Sequence, residues 1–186
     1  MELTLSYRLL NHGPTTLITS AHNGERNIMA AAWVCALDFD PPKITVVIDK
    51  NTYTRNLMEA EGTFAINLPC VAQIEMLTQV GSCSGRDMTT DKFAQFNIPT
   101  FAAQQISAPL VEGCVAWLEC KIIPEPHNQN TYDLFIAEVI AAHADERVFS
   151  NGRWHFEGYD DLRTIHHVAG GAFFATGESM QTSQTN

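Results

Sequence analysis

Apolar and polar positions alternate along much of this chain, and turn residues interrupt the alternation at short intervals. Residues 27–35, NIMAAAWVC, place Ile28, Ala30, Ala32 and Val34 on one face of an extended strand. Asn27, Met29, Ala31, Trp33 and Cys35 fall on the other face. The β-branched stretch 15–20 predicts a strand before it, and Asn23-Gly24 predicts a tight turn, so residues 15–21 and 26–36 form a hairpin. Residues 38–42, DFDPP, predict a loop, because a proline pair does not continue a central strand. The unbroken apolar run 44–48 predicts a strand buried on both faces.

The period then changes. Residues 54–61 predict a short helix stopped by Gly62, and residues 64–68 a strand stopped by Pro69. Val71, Ile74, Leu77 and Val80 recur at helical spacing. Residues 81–87 form a loop of small residues that carries Arg86, and Thr90 is placed to cap a helix over 91–96, with Asn97 as its stop. Two long strands are predicted at 115–123 and 132–142, joined by a loop over 124–130, and Asn151-Gly152 marks another turn. Residues 1–12 have no clean period and predict a lead-in segment or short strand; residues 177–186 read as a frayed polar tail. There is no internal repeat, and no charge run divides the chain. The expectation is one domain over residues 1–176, mainly β, a closed or partly closed barrel with short helical excursions.

Composition narrows the partners. The chain has 186 residues, with Lys+Arg 11 against Asp+Glu 21, and a pI near 5.0. Such a balance argues against a general nucleic-acid or anionic-membrane binder, which needs clustered cations. The first ten residues lack a basic segment followed by an apolar run of signal length, and no stretch has the apolar length of a membrane helix. The five cysteines, Cys35, Cys70, Cys83, Cys114 and Cys120, include no C-x-x-C pair. They are expected to be reduced and mostly buried, in a cytoplasmic protein.

The candidate chemistry lies between Asn27 and Thr54. An amide, a thioether and an indole on one strand face suit a flat heteroaromatic ring. The hydroxyl-rich helix start at Thr52 and Thr54, beside Lys50 and Asn51, suits a phosphate. Ring and phosphate together describe flavin mononucleotide (FMN). Each residue has a plainer reading beside this one: Thr52 or Thr54 as an N-cap, Met29 and Trp33 as core, Cys35 as a buried thiol, Arg86 as a solvated cation. His166-His167 has no third ligand at a useful spacing, so no metal site is expected. There is no Gly-x-Ser-x-Gly elbow, Walker loop or Rossmann fingerprint.

The order of these pieces resembles the flavin reductase-like, FMN-binding split-barrel family, and within it the flavoredoxin-type branch. The residues that carry the resemblance are Asn27 through Trp33, Asp40-Pro41-Pro42, Thr52-Tyr53-Thr54, FAINL at 64–68, SGRD at 84–87 leading to Asp91-Lys92-Phe93, LVEGC at 110–114, WLEC at 117–120, LFIAEV at 134–139 and HVAGGAF at 167–173. Together they span roughly residues 5–177. The resemblance implies a Greek-key split barrel that forms a homodimer and holds FMN noncovalently near the interface. It implies Thr52, Thr54, Lys50 and Asn51 at the phosphate, with Arg86 and Lys92 at the phosphate or ribityl chain. It implies Asn27, Met29, Ala30, Ala31 and Trp33 at the ring, with Phe156, Tyr159 and Phe173 in segments approaching its far side. The hydride would be taken by flavin N5, with NAD(P)H as candidate reductant and no protein acid or base required at that step. One departure stands out. Many family members carry Asp-His-Thr before the Leu-Phe-Ile strand, where this chain reads Thr131-Tyr132-Asp133. That puts direct NAD(P)H oxidation in question, leaves His127 as a substitute reaching from the preceding loop, and keeps open an electron carrier that works with a redox partner protein. An oxidase related to the pyridoxamine-phosphate enzymes is a third, weaker reading.

Overall fold

A computed structural model of the chain describes residues 3–10 and 13–181; expectations for residues 1, 2, 11, 12 and 182–186 lie outside the described residues. Strands β1 (Thr16–His22) and β2 (Glu25–Ala31) form the predicted hairpin, and Asn23 and Gly24 both take the positive φ that its turn requires, 49° and 84°. Strands β3 (Val34–Phe39) and β4 (Pro42–Val47) form a second hairpin. Helix α1 (Tyr53–Glu61) ends at Gly62, whose φ of 78° is the left-handed stop read from the sequence. Strand β5 (Thr63–Leu68) follows, then a 3₁₀ turn (Val71–Gln73) running into α2 (Ile74–Gly81), and the short α3 (Lys92–Gln95). A two-stranded pair, β6 (Thr100–Phe101) and β7 (Leu110–Val111), precedes the long β8 (Ala116–Ile123). Helix α4 (Pro126–Tyr132) leads to β9 (Leu134–Ala144). Two small hairpins complete the order, β10 (Phe149–Ser150) with β11 (Arg153–Trp154), and β12 (Ile165–Ala169) with β13 (Ala172–Ala175).

Seven strands make one antiparallel sheet in the order β2-β1-β5-β8-β9-β4-β3. Its two ends, β2 and β3, are consecutive stretches of one chain segment separated only by Ala32 and Trp33. The first half of that segment pairs with β1 and the second with β4, so the sheet curls round and closes on itself. Strands β1, the β2–β3 segment and β4 are hairpin neighbours, and β5 returns to lie beside β1, which is the Greek-key order.

Closure creates two apolar regions. Inside the barrel, Ile18, Ile44, Val46, Phe64, Ile66 and Phe135 pack together from opposite walls, with Met58 of α1 plugging one end. Outside β1 and β2, Leu17 and Ile28 pack against Leu77 and Val80 of α2 and Phe93 of α3. Fully burying each such side chain stabilises the fold by about 1.5–3 kcal/mol. This second region sets the site, because it clamps α2 and the loop after it onto the outer face of β2.

Several expectations need correcting. The alternation over 27–35 is broken at Ala32-Trp33: Ala31 and Val34, three positions apart, pack against the same barrel interior. The bend that closes the barrel is what flips the register. Asp38 and Phe39 belong to β3 and Pro42 begins β4; a proline is tolerated as the first residue of a strand. The run 44–48 is not buried on both faces: Ile44, Val46 and Ile48 are buried, while Thr45 and Val47 are half-buried. The cap of α3 is Asp91 rather than Thr90, its carboxylate accepting the Ala94 N–H at 2.8 Å. The connection 124–130 is mostly helix, because Pro126 sits in the first turn where its missing N–H costs nothing, so Tyr132 ends α4 instead of starting β9. Residues 3–9 form a 3₁₀ helix. Among the cysteines Cys70, Cys114 and Cys120 are buried, but Cys35 is exposed on β3 and Cys83 half-buried. The start of the tail is held: the Arg163 guanidinium donates to the carbonyls of Thr176 and Gly177 and to the Glu178 carboxylate.

Candidate functional site

A trough runs along β2, between the first turn of α1 and the loop that follows α2, and takes in residues from both faces of the strand. Its deeper half has a volume of about 310 Å³ and is lined by Asn27, Met29 and Ala30 of β2, by residues 51–54, by Val80 to Gly85, and by Lys92. The other half, about 350 Å³, shares Ala30, Gly81 and Ser82 with the first and continues past Ala31 and Ala32 to Thr15, His167 and Phe173. Small residues on β2 and α2 let the floor lie close to the backbone; a Cβ on Gly81 would meet the Ala30 methyl at 3.3 Å.

The deep half carries groups whose chemistry suits an anion. The N-terminus of α1 has no side-chain cap, so the N–H groups of its first turn keep their donor capacity and the positive end of the helix points at the cavity. Thr52 has its hydroxyl donated to the Asp49 carbonyl at 2.8 Å. The Thr54 hydroxyl accepts from the Asn27 amide at 2.8 Å, which leaves its own proton for a ligand. Lys92 is the most informative residue. It is 2% exposed, and among the described residues its ammonium meets one partner, the Val80 carbonyl at 2.7 Å. Burial pulls its pKa below the ordinary lysine value. A buried ammonium without a carboxylate is costly, and an anion in the cavity beside it offsets that cost.

The shallower half is more apolar. Ala30, Ala31, Leu77 and Phe173 offer flat apolar contact, and the buried Thr15 hydroxyl oxygen has no hydrogen-bond partner among the described residues. That is the mix a heteroaromatic ring uses: apolar faces and a few polar groups at its edge. The residues present therefore fit FMN, phosphate in the deep half and ring in the shallow half.

Of the residues singled out in the sequence, Asn27, Met29, Ala30, Asn51, Thr52, Thr54 and Lys92 share the deep half, and Ala31 lines the shallow one. Lys50 and Arg86 are exposed, Arg86 close enough for its charge to act on Tyr53. Trp33 lies outside the trough, half-exposed and edge-on to Tyr7 at 5.7 Å. His127 is on exposed α4, edge-on to Tyr132. Phe156 is buried in a separate cluster with Cys70, Val115 and Val148, stacked on Trp154 at 5.5 Å. Tyr53, Ser84 and Gly85 fall in motifs that carry the family resemblance, and Ser82 and Cys83 in the small-residue loop at 81–87, but the sequence assigns none of them, nor Thr15, to the cofactor. Thr15 comes beside Ala32 because the β1–β2 hairpin pairs Thr16 with Ala31.

Comparison with known proteins bears on the family and the fold. The family model for the flavin reductase like domain matches residues 8–163. The crystal structure of an FMN-binding domain of a flavin reductases-like enzyme from Shewanella baltica OS155 matches at a TM-score of 0.89 and 51% identity, covering 98% of this chain and 96% of that one. The uncharacterized protein YddH of Escherichia coli (strain K12) is 46% identical over 97% of this chain and 95% of its own length. Flavoredoxin of Desulfovibrio vulgaris (Miyazaki F) matches at a TM-score of 0.79 and 25% identity, covering 92% of this chain and 90% of that one.

Proposed function

We propose a function from one premise: the chain belongs to the flavin reductase like domain family. It binds FMN noncovalently in the trough over β2 and passes hydride or electrons through it. The observation that carries this reading is Lys92, a buried cation beside a helix N-terminus, with no carboxylate among the described residues to neutralise it. Bound there, the flavin supplies hydride acceptance and one- or two-electron transfer, chemistry that side chains lack. The chain's own residues do the holding. Lys92, the Thr54 hydroxyl and the first N–H groups of α1 grip the phosphate, while Ala30, Ala31 and Phe173 exclude water from the ring.

For the electron source, the position of Asp133 favours a carrier over a self-sufficient reductase. Where many family members place a histidine-containing triplet, Tyr132 closes α4 and the Asp133 carboxylate is paired with Arg55, so both serve the fold. The test is whether the purified protein is yellow and whether heating releases FMN, followed by anaerobic reduction. Bleaching only by a reduced partner protein supports the carrier; rapid bleaching by NADH or NADPH supports the reductase. A colourless protein that takes up no added FMN overturns both.

A further inference from the structure

We infer that the trough is closed at its phosphate end so that it selects a flavin monophosphate and discriminates against the dinucleotide FAD; this rests on the FMN reading above. The closure is a wall of three residues, Asn27, Tyr53 and Gly85, which line the deep half of the trough on one side and a second cavity of about 300 Å³ on the other. Gly85 is wedged between its two neighbours. A Cβ there would lie 2.3 Å from Asn27 Oδ1 and 3.0 Å from the Tyr53 ring, so only glycine lets the loop press this close.

Each of the other two members is latched. The Asn27 amide is fixed by the Thr54 hydroxyl, and the Tyr53 hydroxyl donates to the Glu25 carboxylate. That bond to Glu25 is the main reason the Tyr53 phenol titrates above its ordinary value, so the latch keeps its proton at neutral pH. The Asn27–Thr54 bond is buried and the Tyr53–Glu25 bond lies at the surface, so the wall is held most firmly on its Asn27 side.

Charge beyond the wall points the same way. The second cavity is lined by the Glu25 and Asp91 carboxylates and by Arg26, whose guanidinium is paired with Asp91 at 3.0 Å. Among the described residues that line it, the one cation, Arg26, is already neutralised; the exposed Arg86, which acts on Tyr53, is not part of that lining. FMN ends in a phosphate monoester, a near-dianion that suits Lys92 and the helix end. In FAD the same phosphorus is joined through an anhydride oxygen to a second phosphate, so it carries about one negative charge instead of nearly two, and that second phosphate must either part the wall and face two carboxylates or turn back over the rim.

Flavin-free protein titrated with FMN, FAD and riboflavin, followed by quenching of flavin fluorescence, tests this. FMN is expected to bind at least about tenfold more tightly than FAD, a difference of about 1.4 kcal/mol. In the Tyr53→Ala/Glu25→Gln double variant the two affinities should converge, mainly because FAD improves. Glu25→Gln alone, a change at the surface, should shift the ratio in the same direction and serves if the double variant does not fold. FAD binding within about threefold of FMN in the wild type overturns the inference. So does an unmoved ratio in a folded variant, while FMN binding itself still stands. Wild-type protein that binds none of the three flavins overturns the FMN reading and this inference with it.

Discussion

The side-chain amide of Asn27 donates to the hydroxyl of Thr54 at 2.8 Å, with both residues buried, and so fastens β2 to the first turn of α1. One hydrogen bond thereby fixes the angle between the strand that floors the trough and the helix end that faces it. Thr54→Val keeps the shape but leaves the Asn27 amide unsatisfied. Urea unfolding should show a loss of about 1–3 kcal/mol, and FMN affinity should fall in the same variant. Full stability with normal affinity would remove the pairing from any role.

Lys92 separates stability from function. Lys92→Met removes a buried ammonium that is held by the Val80 carbonyl but meets no carboxylate among the described residues, and fills its space with a side chain of similar length. The flavin-free variant should be at least as resistant to urea as the wild type, while its FMN affinity drops by about tenfold or more. A destabilised variant with undiminished FMN binding would contradict the phosphate assignment.

The same residue sets a pH dependence. Burial holds the Lys92 pKa below the ordinary 10.5 in the flavin-free fold, whereas the unfolded chain keeps that proton up to its ordinary value. Between the two values the unfolded state binds more protons, so this group makes the flavin-free protein more stable as pH rises through that window. The phosphate needs the protonated ammonium, so FMN affinity should fall over the same alkaline range. Affinity and flavin-free stability therefore move in opposite directions with pH, and parallel titrations of the wild type and Lys92→Met isolate the effect.

Arg55 carries a purely structural prediction. Its guanidinium, with the residue 4% exposed, donates to the carbonyls of Ile48 and Gln129 and pairs with Glu59 and Asp133, joining α1 to α4 and to the residue that follows β4. Arg55→Met leaves two carbonyls and Asp133 without their donor, and a loss of about 3–5 kcal/mol is expected in urea unfolding. Asp133→Asn, which keeps a hydrogen-bond acceptor, should cost much less.

What could be read ahead of the structure follows from the range of the interaction concerned. The Asn23-Gly24 turn, the Gly62 stop and the helical spacing of Val71 to Val80 are local, and all three stand in the fold. The bend at Ala32-Trp33 is not local. It arises because the strand must pair with β1 on one side and β4 on the other, partners that the surrounding residues do not name. The same bend takes Trp33 out of the trough and onto Tyr7, although alternation alone puts it on the face of Asn27 and Met29. Asp91 and Thr90 are both good caps, and the choice falls to Asp91 because its carboxylate also meets Arg26 on β2. Lys92 was legible as a cation; its burial, which gives it meaning, came from the packing of α3 under the loop.

The two-residue bridge at Ala32-Trp33 is the seam of the whole molecule. A single backbone cleavage there would not release a fragment, yet it would convert an endless ring of strands into a strip with two raw borders. Such borders pair readily with other chains. A nick at the Asn151-Gly152 turn spares the ring, so new termini placed at those two points should part company: a permutant with the association state of the intact chain from the second, one that aggregates further from the first.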